Sequence, residues 1–197
     1  MFTGLVEEMG TVRCIERTQD AFMLWVDADV TREDAAFGAS IAVNGVCLSI
    51  TGMDEAGFSF GLAPETLRLT SLGALAEGSR VNLERSVTPT TRMGGHYVQG
   101  HVDGVATIAE ITRDADAIDM RFTLDPALAR MIVHKGYVAI DGTSLTVTQV
   151  RDDGFAVTLI AHTQALVVLA LKGVGDPVNI EIDILTKTVA RLLEAHQ

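Results

Sequence analysis

Residues 40–50 of this chain read SIAVNGVCLSI and residues 137–147 read YVAIDGTSLTV, and the two segments align without a gap. Apolar residues face apolar residues at Ile41/Val138, Ala42/Ala139, Val43/Ile140, Leu48/Leu145 and Ile50/Val147, while Asn44 faces Asp141, Cys47 faces Ser144 and Ser49 faces Thr146. The same offset of 97 residues pairs Phe58 with Phe155, Leu62 with Leu159, Thr66 with Thr163, and Val81-Asn82-Leu83-Glu84 with Val178-Asn179-Ile180-Glu181. Near the start an offset of 96 pairs Gly4-Leu5-Val6 with Gly100-His101-Val102 and Thr11-Val12 with Thr107-Ile108, so one inserted residue separates the two registers. Four blocks in the same order mark two homologous units, joined near Thr88–Gly95. The period is far longer than that of a solenoid, so each unit must bury a core of its own. The expected division is 1–92, 93–184 and a tail, 185–197.

Each unit reads as β. In the first, runs rich in Val, Ile, Thr and Phe lie at Gly10–Ile15, Phe22–Val26, Ser40–Val43, Cys47–Met53, Phe58–Leu62 and Arg80–Leu83, separated by Gly, Asp and Asn. Asn44-Gly45 and Asp141-Gly142, each between apolar runs, are tight-turn signals. Six strands in so short a unit predict a closed barrel, because closure removes exposed strand edges. Pro64-Glu65-Thr66-Leu67 and Asp125-Pro126-Ala127-Leu128-Ala129-Arg130 read as short helical starts with Pro in the first turn. In the tail, Leu185, Val189, Leu192 and Leu193 recur at helical spacing over Leu185–His196. This stripe has no counterpart after the first unit and is expected to be an oligomer contact; docking on its own barrel is the alternative.

Composition narrows the partners. The net charge is −11, which argues against nucleic acid or an anionic membrane surface, since both are bound by clustered Lys and Arg. Two cysteines, Cys14 and Cys47, make no disulfide framework and suit a reducing, cytosolic setting. Glu7 and Glu8 fall where a signal peptide would need its apolar run. The longest apolar stretch, Ala165 to Leu171, is far short of the ~20 residues of a membrane span. Gly-x-Gly-x-x-Gly, P-loop, Gly-x-Ser-x-Gly and His-Glu-x-x-His patterns are absent, which removes support for nicotinamide, ATPase and esterase chemistry.

The chemistry-bearing residues cluster in the repeated blocks. Cys47 and Ser144 follow equivalent Asx-Gly turns, one a thiol and one a hydroxyl. Ser49 and Thr146, two residues on, share their strand faces. Glu65 and His162 are equivalents beside Thr66 and Thr163, again unlike in charge. His96 and His101 are five apart, so one strand cannot present both on one face, and no metal site is expected. His101, inside the repeated Gly-x-Val element, is the better candidate, with His96 read as structural. Lys135 could neutralise charge on a ligand carbonyl. Glu181 and Asp183 share a strand face, either solvated or holding polyol hydroxyls or a base.

Taken together, Met-Phe-Thr-Gly-Leu-Val-Glu, Asn44-Gly45-Val46-Cys47-Leu48-Ser49, Pro64-Glu65-Thr66-Leu67, Val81-Asn82-Leu83-Glu84-Arg85, the run Gly94 to Asp103, Asp141-Gly142-Thr143-Ser144-Leu145-Thr146 and Val178-Asn179-Ile180-Glu181 resemble riboflavin synthase of the alpha-chain type, over residues 1 to about 183. The resemblance implies an all-β fold of two homologous six-stranded Greek-key barrels in tandem plus a C-terminal α-helix, in a homotrimer assembled through those helices. It implies dismutation of two molecules of 6,7-dimethyl-8-ribityllumazine by four-carbon transfer, giving riboflavin and 5-amino-6-ribitylaminouracil, with no cofactor. Lumazine synthase, which makes the substrate, is the macromolecular partner it suggests. It places the reaction where the first barrel of one subunit faces the second barrel of a neighbour.

By motif match, the first pocket comprises Gly4, Leu5, Val6, Cys47, Leu48, Ser49 and the run Gly61, Leu62, Ala63, Pro64, Glu65, Thr66. The second comprises Gly100, His101, Val102, Lys135, Ser144, Leu145, Thr146 and the run Leu159, Ile160, Ala161, His162, Thr163, Gln164. Ser144 with Asp141 behind it, His101, Thr146 and Lys135 are the implied catalytic set, with Cys47 against the other lumazine. The chain departs from the resemblance at Ser49, where Thr is usual, at His162, where Glu is common, and at Ala165–Leu169, which lacks the Thr-rich start seen at Arg68–Ser71. The competing reading is a non-catalytic lumazine or flavin carrier of the same fold. Such relatives lose the polar residues of one barrel, whereas Cys47, His101, Lys135, Asp141, Ser144 and Thr146 are all present here.

Overall fold

In the structure, a computed structural model that describes residues 1–18 and 22–194, alternation writes the two barrels into the chain. Strand β2 (Phe22–Asp27) buries every other residue, Phe22, Leu24 and Val26, and its equivalent β8 (Ala117–Thr123) buries Ile118, Met120 and Phe122. The other strands are β1 (Glu8–Arg17), β3 (Ser40–Val43), β4 (Val46–Met53), β5 (Gly57–Leu62) and β6 (Arg80–Arg85) in the first unit. The second unit adds β7 (Gly104–Asp114), β9 (Tyr137–Ile140), β10 (Thr143–Arg151), β11 (Gly154–Leu159) and β12 (Pro177–Ile182). Both rings are closed and antiparallel, ordered β1-β2-β5-β4-β3-β6 and β7-β8-β11-β10-β9-β12, a Greek-key path in each.

The likeness extends to irregularities. Bulges interrupt β1 between Val12 and Cys14 and β7 between Ile108 and Glu110, and again β4 between Ile50 and Gly52 and β10 between Val147 and Gln149. Both Asx-Gly turns have positive φ at both central residues, 45° and 76° for Asn44-Gly45 and 45° and 80° for Asp141-Gly142. That is the conformation a two-residue hairpin wants and the reason Asn or Asp precedes Gly there. Each barrel holds a separate core, one around Phe58, Phe60 and Leu83, the other around Phe122, Phe155 and Ile180.

A small third cluster joins the barrels: Phe2, Ala42, Val98 and Ala139, with Cys47 against it. Phe2 and Val98 pair as antiparallel backbone, and the two Asx-Gly turns meet, a Cβ on Gly45 reaching 2.5 Å from the Gly142 nitrogen. Around this contact the side chains obey an approximate two-fold. Asn82 Nδ2 donates to the Asp141 carbonyl and its Oδ1 accepts from Val168 N; Asn179 Nδ2 donates to the Asn44 carbonyl and its Oδ1 accepts from Ser71 N. Asn44 Oδ1 accepts from Asn82 N as Asp141 Oδ1 accepts from Asn179 N. The symmetry breaks at the second oxygen of Asp141, which takes a 2.6 Å bond from Lys172, where the first unit has Leu75.

Four helices follow from the same sequence logic. Helix α1 (Pro64–Leu69) and α2 (Pro126–Ala129) open on proline, and α3 (Ala161–Gln164) is the counterpart of α1. Helix α4 (Ile184–Glu194) is docked by its polar side, Lys187 Nζ lying 2.9 Å from both carboxylate oxygens of Asp103. Leu185, Val189, Leu192 and Leu193 stay 56–62% exposed, so the stripe does not dock on its own barrel. The last two residues of the expected helix, Ala195 and His196, lie outside the described residues.

Candidate active site

The amino-terminal segment of each unit crosses to the other barrel. Gly4 carbonyl accepts from Ser144 N at 2.8 Å, and Gly100 carbonyl accepts from Cys47 N at 2.9 Å. Val6 packs on the second core and Val102 on the first. The expected grouping is therefore corrected by exchange. Gly4, Leu5 and Val6 stand beside Ser144, Leu145 and Thr146, and Gly100, His101 and Val102 stand beside Cys47, Leu48 and Ser49. The cause is the antiparallel pairing of Phe2 with Val98, which carries each segment past its own barrel. Both crossing glycines are obligatory, with φ of 77° and 79°; a Cβ on Gly4 would lie 2.6 Å from Ser144 Cβ, and one on Gly100 2.5 Å from Cys47 Cβ.

In the Ser144 half-site, Ser144 and Thr146 lie on the outward face of β10, and Ser144 Oγ is 2.7 Å from His96 Nδ1. His96 is buried, its ring stacks on Tyr137 with centroids 5.2 Å apart and planes 7° apart, and its Nε2 has no partner among the described residues. Burial pushes the imidazole pKa below its ordinary 6.5, only partly offset by Asp183, so the ring is neutral at pH 7. In the tautomer protonated at Nε2, Nδ1 accepts the Ser144 hydroxyl, the arrangement that lets a histidine take a proton from a serine. Exposed Leu5, next to the Gly4 that bonds Ser144, offers an apolar wall beside these polar groups, and Ile160, also exposed, stands where β11 passes into α3. The approach of His96 depends on Gly95, where a Cβ would fall 2.1 Å from the Thr3 carbonyl. Sequence reasoning passed over His96; the signal available was the glycine pair before it.

In the Cys47 half-site, Cys47 and Ser49 face outward on β4, with Ser40 opposite Ser49 where the other barrel places Tyr137 opposite Thr146. The thiol has no hydrogen-bond partner among the described residues; His101 follows the Gly100 that bonds Cys47, and it is exposed, as are Gly61, Ala63 and Glu65. Pro64 and Thr66 continue this rim on α1, as Ala161, His162 and Thr163 do on α3.

Several expected residues lie elsewhere. Leu48, Leu62, Leu145 and Leu159 point into the cores, so any part they take is through the main chain. The Gln164 amide is engaged by the Asp116 and Leu159 carbonyls. The Asp141 carboxylate is completely buried behind the Ser144 turn, its pKa raised by burial against the pull of Lys172. Lys135 sits beside the middle of β10, its N–H donating to the carbonyl of Val147, three residues along from Ser144, in a left-handed conformation with φ of 63°. Its equivalent is Gly38, at φ 81°. Glu181 does not lie on a solvated face. It is buried, and its carboxylate accepts the backbone N–H groups of Gln99, Gly100 and His101.

Comparison with known proteins fits this geometry. A family profile described as the lumazine binding domain matches twice, at residues 3–86 and 99–183. Riboflavin synthase of Schizosaccharomyces pombe is 50% identical over 198 residues, spanning 100% of this chain and 95% of the relative. That of Bacillus amyloliquefaciens is 42% identical over 98% of this chain and 90% of its own, and that of Mycobacterium tuberculosis 41% over 99% of each. Among solved structures, LumP complexed with riboflavin superposes with a TM-score of 0.86 at 23% identity, over 92% of this chain and 99% of that one, a likeness of fold. With two lumazine binding domains and 40–50% identity running its whole length, the chain belongs to the riboflavin synthase family.

Proposed function

We propose that the chain is a transferase that converts two molecules of 6,7-dimethyl-8-ribityllumazine into riboflavin and 5-amino-6-ribitylaminouracil. The observation that carries this is the pairing of two half-sites alike in backbone and unlike in polar equipment. A reaction between two copies of one compound needs two similar receptacles that assign different roles. The four carbons lost by one copy are gained by the other, so no external oxidant or carbon donor is consumed.

The C7 methyl of the lumazine is acidic because its carbanion delocalises into the ring. The protein's part is to orient, desolvate and move a proton. We assign the Ser144 half-site the proton-transfer work: neutral His96 draws the hydroxyl proton of Ser144, and Thr146 and exposed Leu5 and Ile160 hold the ring. The Cys47 half-site, with Ser49, His101 and the Glu65–Thr66 rim, holds the second copy. Asp141 supports the Ser144 turn from behind, and Lys135 supplies positive charge to a ligand held by another copy.

Assembly completes the centre. The exposed stripe of α4 is continuous with a helix already pinned to its barrel by Lys187–Asp103, which leaves it rigid and available to a second copy. A homotrimer in a reducing cytosol, with one Cys47 half-site facing a neighbour's Ser144 half-site, is the arrangement we propose. Lumazine synthase is the partner that would supply the substrate. The test is incubation with the lumazine as sole substrate, with riboflavin followed by absorbance. One riboflavin per two lumazines consumed is expected; a fluorescence change without riboflavin identifies a carrier.

A further inference from the structure

Two buried carboxylates stand at equivalent points of the last strand of each barrel, Glu84 in β6 and Glu181 in β12, 5% and 3% exposed. Neither hydrogen-bonds to Ser144, His96 or Cys47; each meets its half-site through main-chain N–H groups alone. Glu84 Oε1 accepts from Thr3 N at 2.6 Å and Thr3 Oγ1 at 2.8 Å, and its Oε2 accepts from Gly4 N at 3.0 Å. Glu181 Oε1 accepts from Gln99 N at 2.6 Å, and its Oε2 from Gly100 N and His101 N, both at 2.9 Å. Each carboxyl group thus gathers three donors from one short segment on its two oxygens, where an amide side chain offers a single acceptor oxygen.

The gripped segment then serves the opposite barrel. The residue held by Glu84, Gly4, bonds Ser144 of the second barrel; the residue held by Glu181, Gly100, bonds Cys47 of the first. We infer that Glu84 and Glu181 are crossed positioning residues: Glu84 sets the wall of the Ser144 half-site and Glu181 sets the wall of the Cys47 half-site, each acting on the barrel to which it does not belong. The two half-sites are thereby tied together within one chain, since each barrel's final strand fixes the other's rim. The inference rests on the reading above that these walls enclose ligands, but its test needs no turnover.

Cys47 and His96 are the reporters, one in each half-site. In a Cys14→Ser background Cys47 is the sole thiol, and its rate of alkylation by iodoacetamide reads the first wall. The imidazole ¹⁵N shifts of His96, assigned with His96→Gln, read the second. Glu181→Gln is expected to change the Cys47 rate by about tenfold, the worth of one lost charge-assisted bond, and to leave the His96 signals in place. Glu84→Gln is expected to move the His96 signals and hold the Cys47 rate within about twofold. The aspartate variants keep the charge and shorten the reach, and are expected to give the same crossed pattern. Thr3→Val, which removes one of Glu84's three bonds, gives it in milder form should Glu84→Gln not fold. Reporters that follow the carboxylate's own barrel, or that move together in every variant, overturn the inference. A protein that passes this test but makes no riboflavin refutes the proposed function and leaves the clamps standing.

Discussion

Cys47 and Ser144 stand at the same point of equivalent hairpins, each donating its N–H to the carbonyl of a left-handed glycine from the other half of the chain. Ser144 shares a 2.7 Å hydrogen bond with a buried histidine stacked on a tyrosine, whereas the Cys47 thiol has no such partner among the described residues. Leu5 and Ile160 are the repeat equivalents of His101 and Ala63, and Lys135 of Gly38. Duplication has preserved turns, bulges and glycines, which set shape, and released side chains at the rim, which set chemistry. The stability of each barrel depends on its core, and the rim contributes little to that core, so rim residues are free to diverge.

The sharpest way to break the comparison is to remove what only one half-site has. Ser144→Ala and His96→Ala are each expected to lower kcat by about two to three orders of magnitude, and the double variant by no more than the larger single loss, because the two act as a unit. Steady-state kinetics check this. The base works when neutral, so activity falls as pH drops through the His96 pKa. Burial places that limb below the 6.5 of an ordinary histidine, and it vanishes in His96→Ala.

Next in size is assembly. Val189→Glu with Leu192→Glu places charge on the exposed stripe of α4 without touching either barrel. Light scattering is expected to show monomers, with turnover reduced at least about tenfold and each barrel still folded. A charged variant that remains trimeric contradicts the role given to the helix.

A smaller effect belongs to the Glu84 clamp. Burial outweighs three hydrogen bonds and raises the Glu84 pKa from 4.5 to about 7. The folded state therefore holds its proton where the unfolded chain has released it, and the stability this confers is lost as pH rises from 4.5 through 7. Relative to Glu84→Gln, the protein is expected to lose up to about 3 kcal/mol across that window, measured by urea unfolding at several pH values. The smallest effect is Lys135→Gly, which gives the second barrel the first barrel's residue. Relief of the left-handed strain is expected to raise stability by about 1 kcal/mol in urea unfolding while ligand affinity falls.

Most of the fold was legible because period-2 alternation and Asx-Gly turns are local signals, and the repeat supplied each of them twice. The strands from Phe22, Ser40 and Arg80 begin where the sequence places them. What remained hidden depends on crossing. Nothing local in Gly4-Leu5-Val6 says that it packs against residue 144, because the pairing of Phe2 with Val98 is a long-range event. His96 was passed over for the same reason: its partner Ser144 is 48 residues away, and spacing along one strand is the wrong ruler for a residue outside any strand. Alternation puts Glu181 on one strand face with Asp183 and leaves open what that face meets, because the donors that justify its burial come from another segment.

The central claim is that two unlike half-sites, contributed by different copies of the chain, make one reaction centre. Gly4→Ala blocks the Ser144 half-site and Gly100→Ala blocks the Cys47 half-site, each by driving a Cβ into the residue it touches. Each variant alone is expected to be nearly inactive. Co-expressed in equal amounts, they should regain about a quarter of wild-type activity per chain, because random assembly pairs the intact half of one with the intact half of the other at that frequency. Activity no greater than that of either variant alone, with mixed assemblies demonstrated by mass spectrometry, would contradict the account.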